Sequence, residues 1–419
     1  MSFCTSTVST SAMFNTALQG TFEVFHSIQP LRHIYTIFTK SSPQVTVLYC
    51  FWLYFAGSFT FDIVHYLLHQ CSKSSFKILR SLGYLHQVHH FYFNSRLKFN
   101  EKYHWQNTCL ELPLELACQI CGAWLGWLIA HTVGFTEEEY PIWDLFVFLV
   151  VVQSVRVLVV IVENGHDSHH ISYEPMVPKD NRWFLVGPQY HALHHVDPNA
   201  YIGSTIRLFD WILGTGSSLR SRRITMTGSS GAFGQAMRNQ LIAEGAKSIQ
   251  ELKFRTDWTY DDYQSVVPIL INTDILILAH GSNSDDSLKA NCESMIELIE
   301  IFKQNRKAKS ANDMLLPEVW YVGSEAELHP LWGSPTMQSY SRSKRAFVPY
   351  ARHLYSDPSL LYRHIVPSSF NSSMGSAIVS AEWAARVAMW WIKRGARYVP
   401  VTYTGLAYIN YFKFRFGKD

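Results

Sequence analysis

Thirteen of the nineteen histidines lie between His65 and His195, and most fall into four tight clusters. These are His65-x-x-x-His69, His86-x-x-His89-His90, His166-x-x-His169-His170 and His191-x-x-His194-His195. Neutral imidazole is a common ligand for iron, zinc and copper. Spacings of three and four residues put two rings on one face of a helix, where they can grip one ion. Four such clusters hold more nitrogens than one ion uses, so the pattern points to two metals. A structural zinc site usually takes four ligands with cysteine prominent, and these clusters contain no cysteine. Spacing alone does not choose the metal. Cys118-x-x-Cys121 lies in an apolar helical stretch and reads as small packing residues.

A second set of residues suggests different chemistry. Thr227-Gly228-Ser229-Ser230-Gly231-Ala232-Phe233-Gly234 joins an apolar strand, RRITMTG, to a helix. Glycines in that setting let the backbone approach a pyrophosphate at a positive helix N-terminus. Downstream, Tyr340 and Lys344 stand four residues apart. On a helix the ammonium could lower the phenol pKa and hold a nicotinamide ribose.

The elements that must carry these residues differ between the two halves. Residues 45–64, 108–131 and 142–162 are each apolar over about 20 residues, enough to span a bilayer. Within them Glu111, Glu115, Gln153 and Arg156 should face the bundle interior or an interface. The 70–103 loop carries Lys73, Lys77, Arg80, Arg96, Lys98 and Lys102, whereas VGFTEEEYP after the second span has no basic residue. By the positive-inside rule the basic loop is cytoplasmic, which puts all four histidine clusters on that face. A helix over 11–30 could lie in the interface. The second half alternates strands and helices: RRITMTG, KSIQELKF, the continuous apolar TDILILAHG, the amphipathic NCESMIELIEIFKQNRKA and PEVWYVGS. That alternation predicts a doubly wound parallel sheet. The expected organisation is an N-terminal segment (1–44), an all-α membrane bundle with a di-metal site (45–215), a linker (216–221) and a Rossmann-like α/β domain (222–419).

Composition agrees. Hydrophobic residues make up 47% and aromatics 15% of 419 residues, and the net charge of +3 is too small to suggest a nucleic-acid partner. Scattered cysteines give no disulfide framework, which fits a cytosol-facing protein. No basic and apolar leader pattern suggests a cleavable signal. The end of the chain, 405–416, mixes aromatics with Lys and Arg and suits a membrane-contacting or interdomain element.

Residues 45–215 resemble the fatty acid hydroxylase (sterol desaturase-like) superfamily of membrane di-iron enzymes. The resemblance rests on HYLLH, HQVHH, ENGHDSHH and YHALHHVDPNAYIGSTIRLFDWILGT. It implies ten iron ligands: His65, His69, His86, His89, His90, His166, His170, His191, His194 and His195. His169 is a weaker eleventh, and His104 and His131 read as packing residues. Glu163 and Asp167 could orient ring N–H groups. The implied chemistry is O2-dependent oxidation of a C–H bond of a sterol, isoprenoid or fatty acyl or aldehyde lipid. Its electron donor would be of the ferredoxin or cytochrome b5-like type.

Residues 222–400 resemble the short-chain dehydrogenase/reductase family. The carriers are the Gly228, Gly231 and Gly234 pattern, Ala279-His280-Gly281 at a strand end, and Tyr340 with Lys344. The resemblance makes Tyr340 the general acid/base, Lys344 its partner, Ser324 the substrate-polarising serine with Ser334 as rival, and Asn291 the helix asparagine. The loop from Thr227 through Ser229, Ser230 and Phe233, with Ala279 and Gly281, would hold the nucleotide. Arg255, or Lys253, would favour NADP(H) over NAD(H). About forty residues separate Gly234 from TDILILAHG, too few for a full second helix and third strand, so the adenine pocket should be altered. The two halves would act in turn on one lipid; the alternative is an α/β half that senses nucleotide or docks without turnover.

Overall fold

The computed structural model describes residues 42–135, 142–167, 169–170, 184–306, 315–328 and 333–417. The suggested 11–30 helix and the acidic residues 137–139 lie outside them. The chain divides into two compact units, residues 1–94 with 98–171, and residues 95–97 with 172–419.

The first unit is helical. α1 (Pro43–Ser72) starts where the Ser42 side chain accepts from the Val45 N–H and Pro43 takes the first turn, a position that needs no N–H. α2 (Lys77–Tyr92) folds back after a short turn. α3 (Leu112–Thr132) is preceded by helical turns from Glu101, and α4 (Ile142–Val162) follows. Three helices are long and apolar enough to cross a membrane: Pro43–Ser72, Glu101–Thr132 and Ile142–Val162. α1 and α3 meet through small residues. A Cβ on Gly122 would lie 2.5 Å from the Ala56 carbonyl oxygen, and one on Gly57 would lie 2.7 Å from that of Gln119. Such close backbone approach is how apolar helices associate where water supplies no driving force. The outer face of α4 exposes Val151, Val152, Val155, Leu158, Val159 and Val162. Inside, Arg156 pairs with Glu115 at 2.6 Å, so two of the charged groups in the spans neutralise one another.

The second unit opens with two short helices, α5 (Pro188–Val196) and α6 (Leu208–Leu213). It continues through β1 (Arg223–Thr227), α7 (Ala232–Ala243), β2 (Ser248–Leu252), β3 (Ile275–Leu278) and α8 (Ser294–Asn305). Then follow β4 (Glu318–Val322), α9 (Pro335–Ala346), α10 (Val348–Ser356), β5 (Leu361–Pro367), α11 (Ala381–Lys393), β6 (Tyr398–Val401) and α12 (Leu406–Phe416). The strands form one parallel sheet of order β2-β1-β3-β4-β5-β6. Both faces are covered, which is why TDILILAHG reads as unbroken apolar sequence. Leu276 and Leu278 face a core with Met295, Leu298 and Phe302, while Ile275 and Ile277 face Met237, Ala385 and Ala388 on the other side. β2 is the edge strand. The interval between β2 and β3 holds no further strand. Phe254, Trp258, Tyr260 and Tyr263 form an aromatic cluster there, with ring centroids 4.4–5.7 Å apart along the chain of contacts.

α12 serves two purposes. Ala407, Asn410 and Phe414 are buried in the second unit, and Asn410 donates to the Glu325 carbonyl at 2.9 Å. Tyr408, Ile409, Phe412 and Phe416 remain exposed on the other face.

Candidate functional site

In the first unit, α1 brings His65 and His69 one turn apart with their Nε2 atoms 3.0 Å from each other, and α2 does the same for His86 and His90 at 3.1 Å. All four rings offer a nitrogen within 4.8 Å of the others. His89 lies edge-on to His170, with ring centroids 4.5 Å apart. The outer nitrogens have fixed partners. His86 Nδ1 donates to Glu111 at 2.8 Å, His89 Nδ1 to the Asn107 side-chain oxygen at 3.0 Å, and His170 Nδ1 to Asp167 at 2.9 Å. Those oxygens only accept, so each ring presents a bare Nε2 inward. Lone pairs converging in a buried pocket suit a cation, and the donor set therefore fits a metal. Asp167 also accepts the backbone N–H groups of His169 and His170 and stands 3.6 Å from Arg156.

Two expectations need correction. His166 is exposed and lies against Phe99, with centroids 4.2 Å apart, outside the nitrogen clusters. The cause is the turn after α4, where Asn164 and Gly165 take φ of 55° and 81° and swing the chain aside. Glu163 makes no ring contact among the described residues; its carbonyl accepts from the His166 N–H. Glu111 and Asn107 take the orienting role instead. They sit on one turn of π-helix, Asn107–Glu111, a distortion often found at functional sites. The signal in the sequence was an acid at the start of a membrane span. His104 and His131 pack against Tyr92 and Trp127.

In the second unit, α5 places His191 and His195 on one face with Nε2 atoms 3.1 Å apart, and His194 Nδ1 donates to the Ala200 carbonyl at 2.8 Å. The following loop is tied by Asp210, which accepts from the Ile202 and Gly203 N–H groups, the Thr215 hydroxyl and the Tyr190 hydroxyl at 2.6–3.0 Å.

The glycine-rich turn of the sheet sits between β1 and α7. Gly228 has φ +68°, and a Cβ on it would lie 2.5 Å from the Ala279 carbonyl. A Cβ on Gly234 would lie 2.0 Å from the Gly228 carbonyl oxygen. Only glycine fits either position, and the turn leaves the α7 N-terminus open for a phosphate. Within the loop, Ser230 is exposed, while Ser229 donates its hydroxyl to Glu251 at 3.1 Å. Phe233, expected beside the nucleotide, is instead a core residue packed towards Phe370. Thr227 is buried and hydrogen-bonds His280 at 2.6 Å. Burial, then the nearby Lys344 charge, push His280 down to about 3, so its ring is neutral.

Glu251 escaped the sequence reading. It stands at the end of β2, twenty residues after Gly231, beside the turn, and lies 3.0 Å from Arg238. An acid at that place suits a ribose hydroxyl. Arg255 is exposed just beyond β2, with φ +68° and its guanidinium 5.8 Å from the Phe254 ring.

Across the same edge, α9 carries Tyr340 and Lys344 one turn apart, with the Ser324 hydroxyl close enough to act on the Tyr340 phenol. Ser334, the rival, is occupied as the N-cap of α9. Lys344 is buried, donates to the Val322 carbonyl at 2.9 Å and lies beside Gly281. Asn291, in a turn of π-helix, binds both the N–H and the carbonyl of Ser282 and reaches Ser343 at 2.9 Å. The expected depression of the Tyr340 phenol by Lys344 does not appear. Burial pushes the phenol up to about 12, partly opposed by Ser324. Lys344 is itself pulled down to about 8 by burial, against Glu327 and Cys292.

The second unit is thus a Rossmann-like parallel sheet whose glycine turn, Tyr340/Lys344 pair and strand-end Ala-His-Gly gather at one edge. Here it shares a chain with apolar helices that carry a histidine cluster. The chain is 28% identical over 387 residues to the monoglucosyldiacylglycerol epimerase of Synechocystis sp., spanning 82% of this chain and 91% of that protein. Among solved structures, a short chain dehydrogenase from Burkholderia cenocepacia in complex with NADP matches at 14% identity, TM-score 0.39, over 47% of this chain and 94% of that one. A short chain dehydrogenase/reductase from Burkholderia phymatum in complex with NAD matches at 13% identity, TM-score 0.38, over 48% and 98%. No family model matches the chain.

Proposed function

We propose that the chain is a membrane enzyme acting on a glycolipid, whose second unit interconverts an alcohol and a ketone on the headgroup sugar and so changes the configuration at that carbon. The observation that carries this reading is the likeness to a glycolipid epimerase, which runs through both units. A nicotinamide dinucleotide, when bound, supplies the hydride acceptor and donor. Tyr340 takes the proton from the alcohol at its phenol oxygen and returns it to the ketone. Ser324, beside Tyr340, orients the reacting oxygen. Lys344 would hold the nicotinamide ribose, and Asn291 fixes the Ser282 backbone beside it. The turn of Gly228, Gly231 and Gly234 would cradle the pyrophosphate. Glu251 favours a free ribose hydroxyl and hence NAD(H), whereas Arg255 would favour NADP(H).

The histidine unit supports a second, complementary role. His65, His69, His86, His89, His90 and His170 would hold iron in the first unit, and His191, His194 and His195 are candidate iron ligands carried by the second. Iron so held supplies O2-dependent oxidation of a lipid C–H bond, with electrons from a ferredoxin or cytochrome b5-like donor. The support is the fixed orientation of His86, His89 and His170 by Glu111, Asn107 and Asp167. Three spans and the basic 70–103 loop favour a multi-pass protein with both sites on the cytoplasmic face.

Incubation of the purified chain with monoglucosyldiacylglycerol and NAD(P), with headgroup analysis, tests the proposal. The expected result is an epimerised sugar; an unchanged headgroup with either nucleotide refutes it. Loss of conversion without O2, in the presence of donor, assigns the oxidation half to the histidine unit. Retention assigns it to Tyr340.

A further inference from the structure

The second unit contains a cavity of about 610 Å³ that the chemistry above leaves unused. Its wall includes Arg220, Arg222, Arg223, Lys247 and Arg306, against Asp197 and Asp274. Arg222 and Arg223 stand at the start of β1, Lys247 just before β2 and Asp274 just before β3. The cavity therefore lies at the amino-terminal edge of the sheet. The glycine turn, Tyr340 and Lys344 belong to the opposite edge.

The charges in this wall do not cancel. Asp274 accepts from Arg223 at 2.8 and 3.0 Å and from Arg306 at 2.8 Å, so one carboxylate already serves two guanidinium groups. Asp197 accepts from the Ser218 hydroxyl and from Asn199. Arg220, Arg222 and Lys247 have no carboxylate within ion-pair distance among the described residues. Arg222 is the telling one. It is only 9% exposed, its Nη2 reaches just the carbonyls of Asp274 and Leu316, and its Nε has no partner. A guanidinium held out of water with no carboxylate in direct contact, only the more distant Asp274 that Arg223 and Arg306 already occupy, is costly. The residues just before it, GSSLRS (216–221), read as a plain linker in the sequence, and Arg222 as the first residue of a strand. Instead Ser221 takes φ +64° there, and Ser218 and Ser221 line the cavity with the arginines.

We propose that this cavity binds a phosphate group, either of a small soluble phosphate ester or of an anionic phospholipid headgroup. Guanidinium forks match phosphate oxygens in pairs, an ammonium adds a point charge, and serine hydroxyls add neutral donors. The volume admits a phosphate with a glycerol-sized substituent, and the basic groups converge from the start of β1 (Arg220, Arg222, Arg223), the start of β2 (Lys247) and the end of α8 (Arg306) rather than lying along a flat face.

The test is calorimetric titration of the full chain in neutral detergent with inorganic phosphate, glycerol 3-phosphate and short-chain phosphatidic acid. At least one should bind saturably, and more weakly as salt rises from about 50 to about 500 mM. Equal binding of glycerol 3-phosphate and phosphatidic acid identifies a soluble ester; binding of phosphatidic acid alone identifies a lipid headgroup. The R220E/K247E double variant changes only exposed side chains and should weaken binding by about tenfold or more. Arg222→Gln should do so too; if that variant does not fold, the exposed pair still decides. Absence of saturable binding by all three ligands overturns the proposal. So does unchanged affinity in R220E/K247E, or competition by NAD+, which would place the phosphate on the glycine turn.

Discussion

Replacing Lys344 by methionine should stabilise the second unit while removing its function. Lys344 is 3% exposed and donates to the Val322 carbonyl. Burial pulls its pKa from 10.5 to about 8. That lowering corresponds to a penalty of about 3 kcal/mol on the buried charge. The sign follows from proton counting. Below about pH 8 both folded and unfolded chains carry the proton and the full penalty applies. Between about 8 and 10.5 the unfolded chain binds more protons, so stability climbs with pH and the penalty fades. Methionine keeps the length and removes the charge, but leaves the Val322 carbonyl without its donor, which offsets about 1 kcal/mol. The net expectation is a gain of about 2 kcal/mol at pH 7 that shrinks steadily towards pH 10. Pulse proteolysis in urea, reading fragments of the sheet unit at several pH values without nucleotide, measures it. An equal midpoint for both proteins at pH 7, or a gap that does not narrow with pH, refutes the reasoning.

Gly234→Ala should abolish nucleotide binding and lower stability by about 1–3 kcal/mol, because its Cβ would meet the Gly228 carbonyl oxygen at 2.0 Å; fluorescence titration and thermal melts read both. Glu251→Gln removes the charge beside Ser229, so affinity should shift from NAD(H) towards NADP(H) by about tenfold, with equal ratios in both proteins counting against the assignment. His89→Ala should release metal from the purified chain, whereas His166→Ala should not, since His166 lies outside the nitrogen cluster; elemental analysis of both variants distinguishes them.

Much of the fold was legible because burial leaves a mark on composition. TDILILAHG had to be covered on both faces, and three runs of apolar sequence had to leave water. The short interval after Gly234 left no room for a third strand on that side, and β2 is the last strand there. What sequence could not reveal were partners that are close in space only. Glu111 and Asn107 lie 25 and 18 residues from the histidines they orient. Local backbone reversal misled the eye at His166, where regular spacing hid a turn through two left-handed residues. Electrostatics were equally opaque. The Tyr340 and Lys344 spacing suggested a lowered phenol, yet burial raises Tyr340 and spends the lysine on a carbonyl. GSSLRS looked like a tether because Arg220 gains meaning only when three strand starts converge around it.

The most direct measurement is headgroup analysis of lipids from a host that makes monoglucosyldiacylglycerol and expresses either the chain or its Tyr340→Phe variant. Phenylalanine keeps the half-buried ring and removes only the transferable proton, a loss worth about 10²- to 10⁴-fold in rate. The account predicts epimerised glycolipid with the unaltered chain. The variant should give essentially none, while still binding nucleotide and retaining its metal. Undiminished epimerised product from Tyr340→Phe would contradict it.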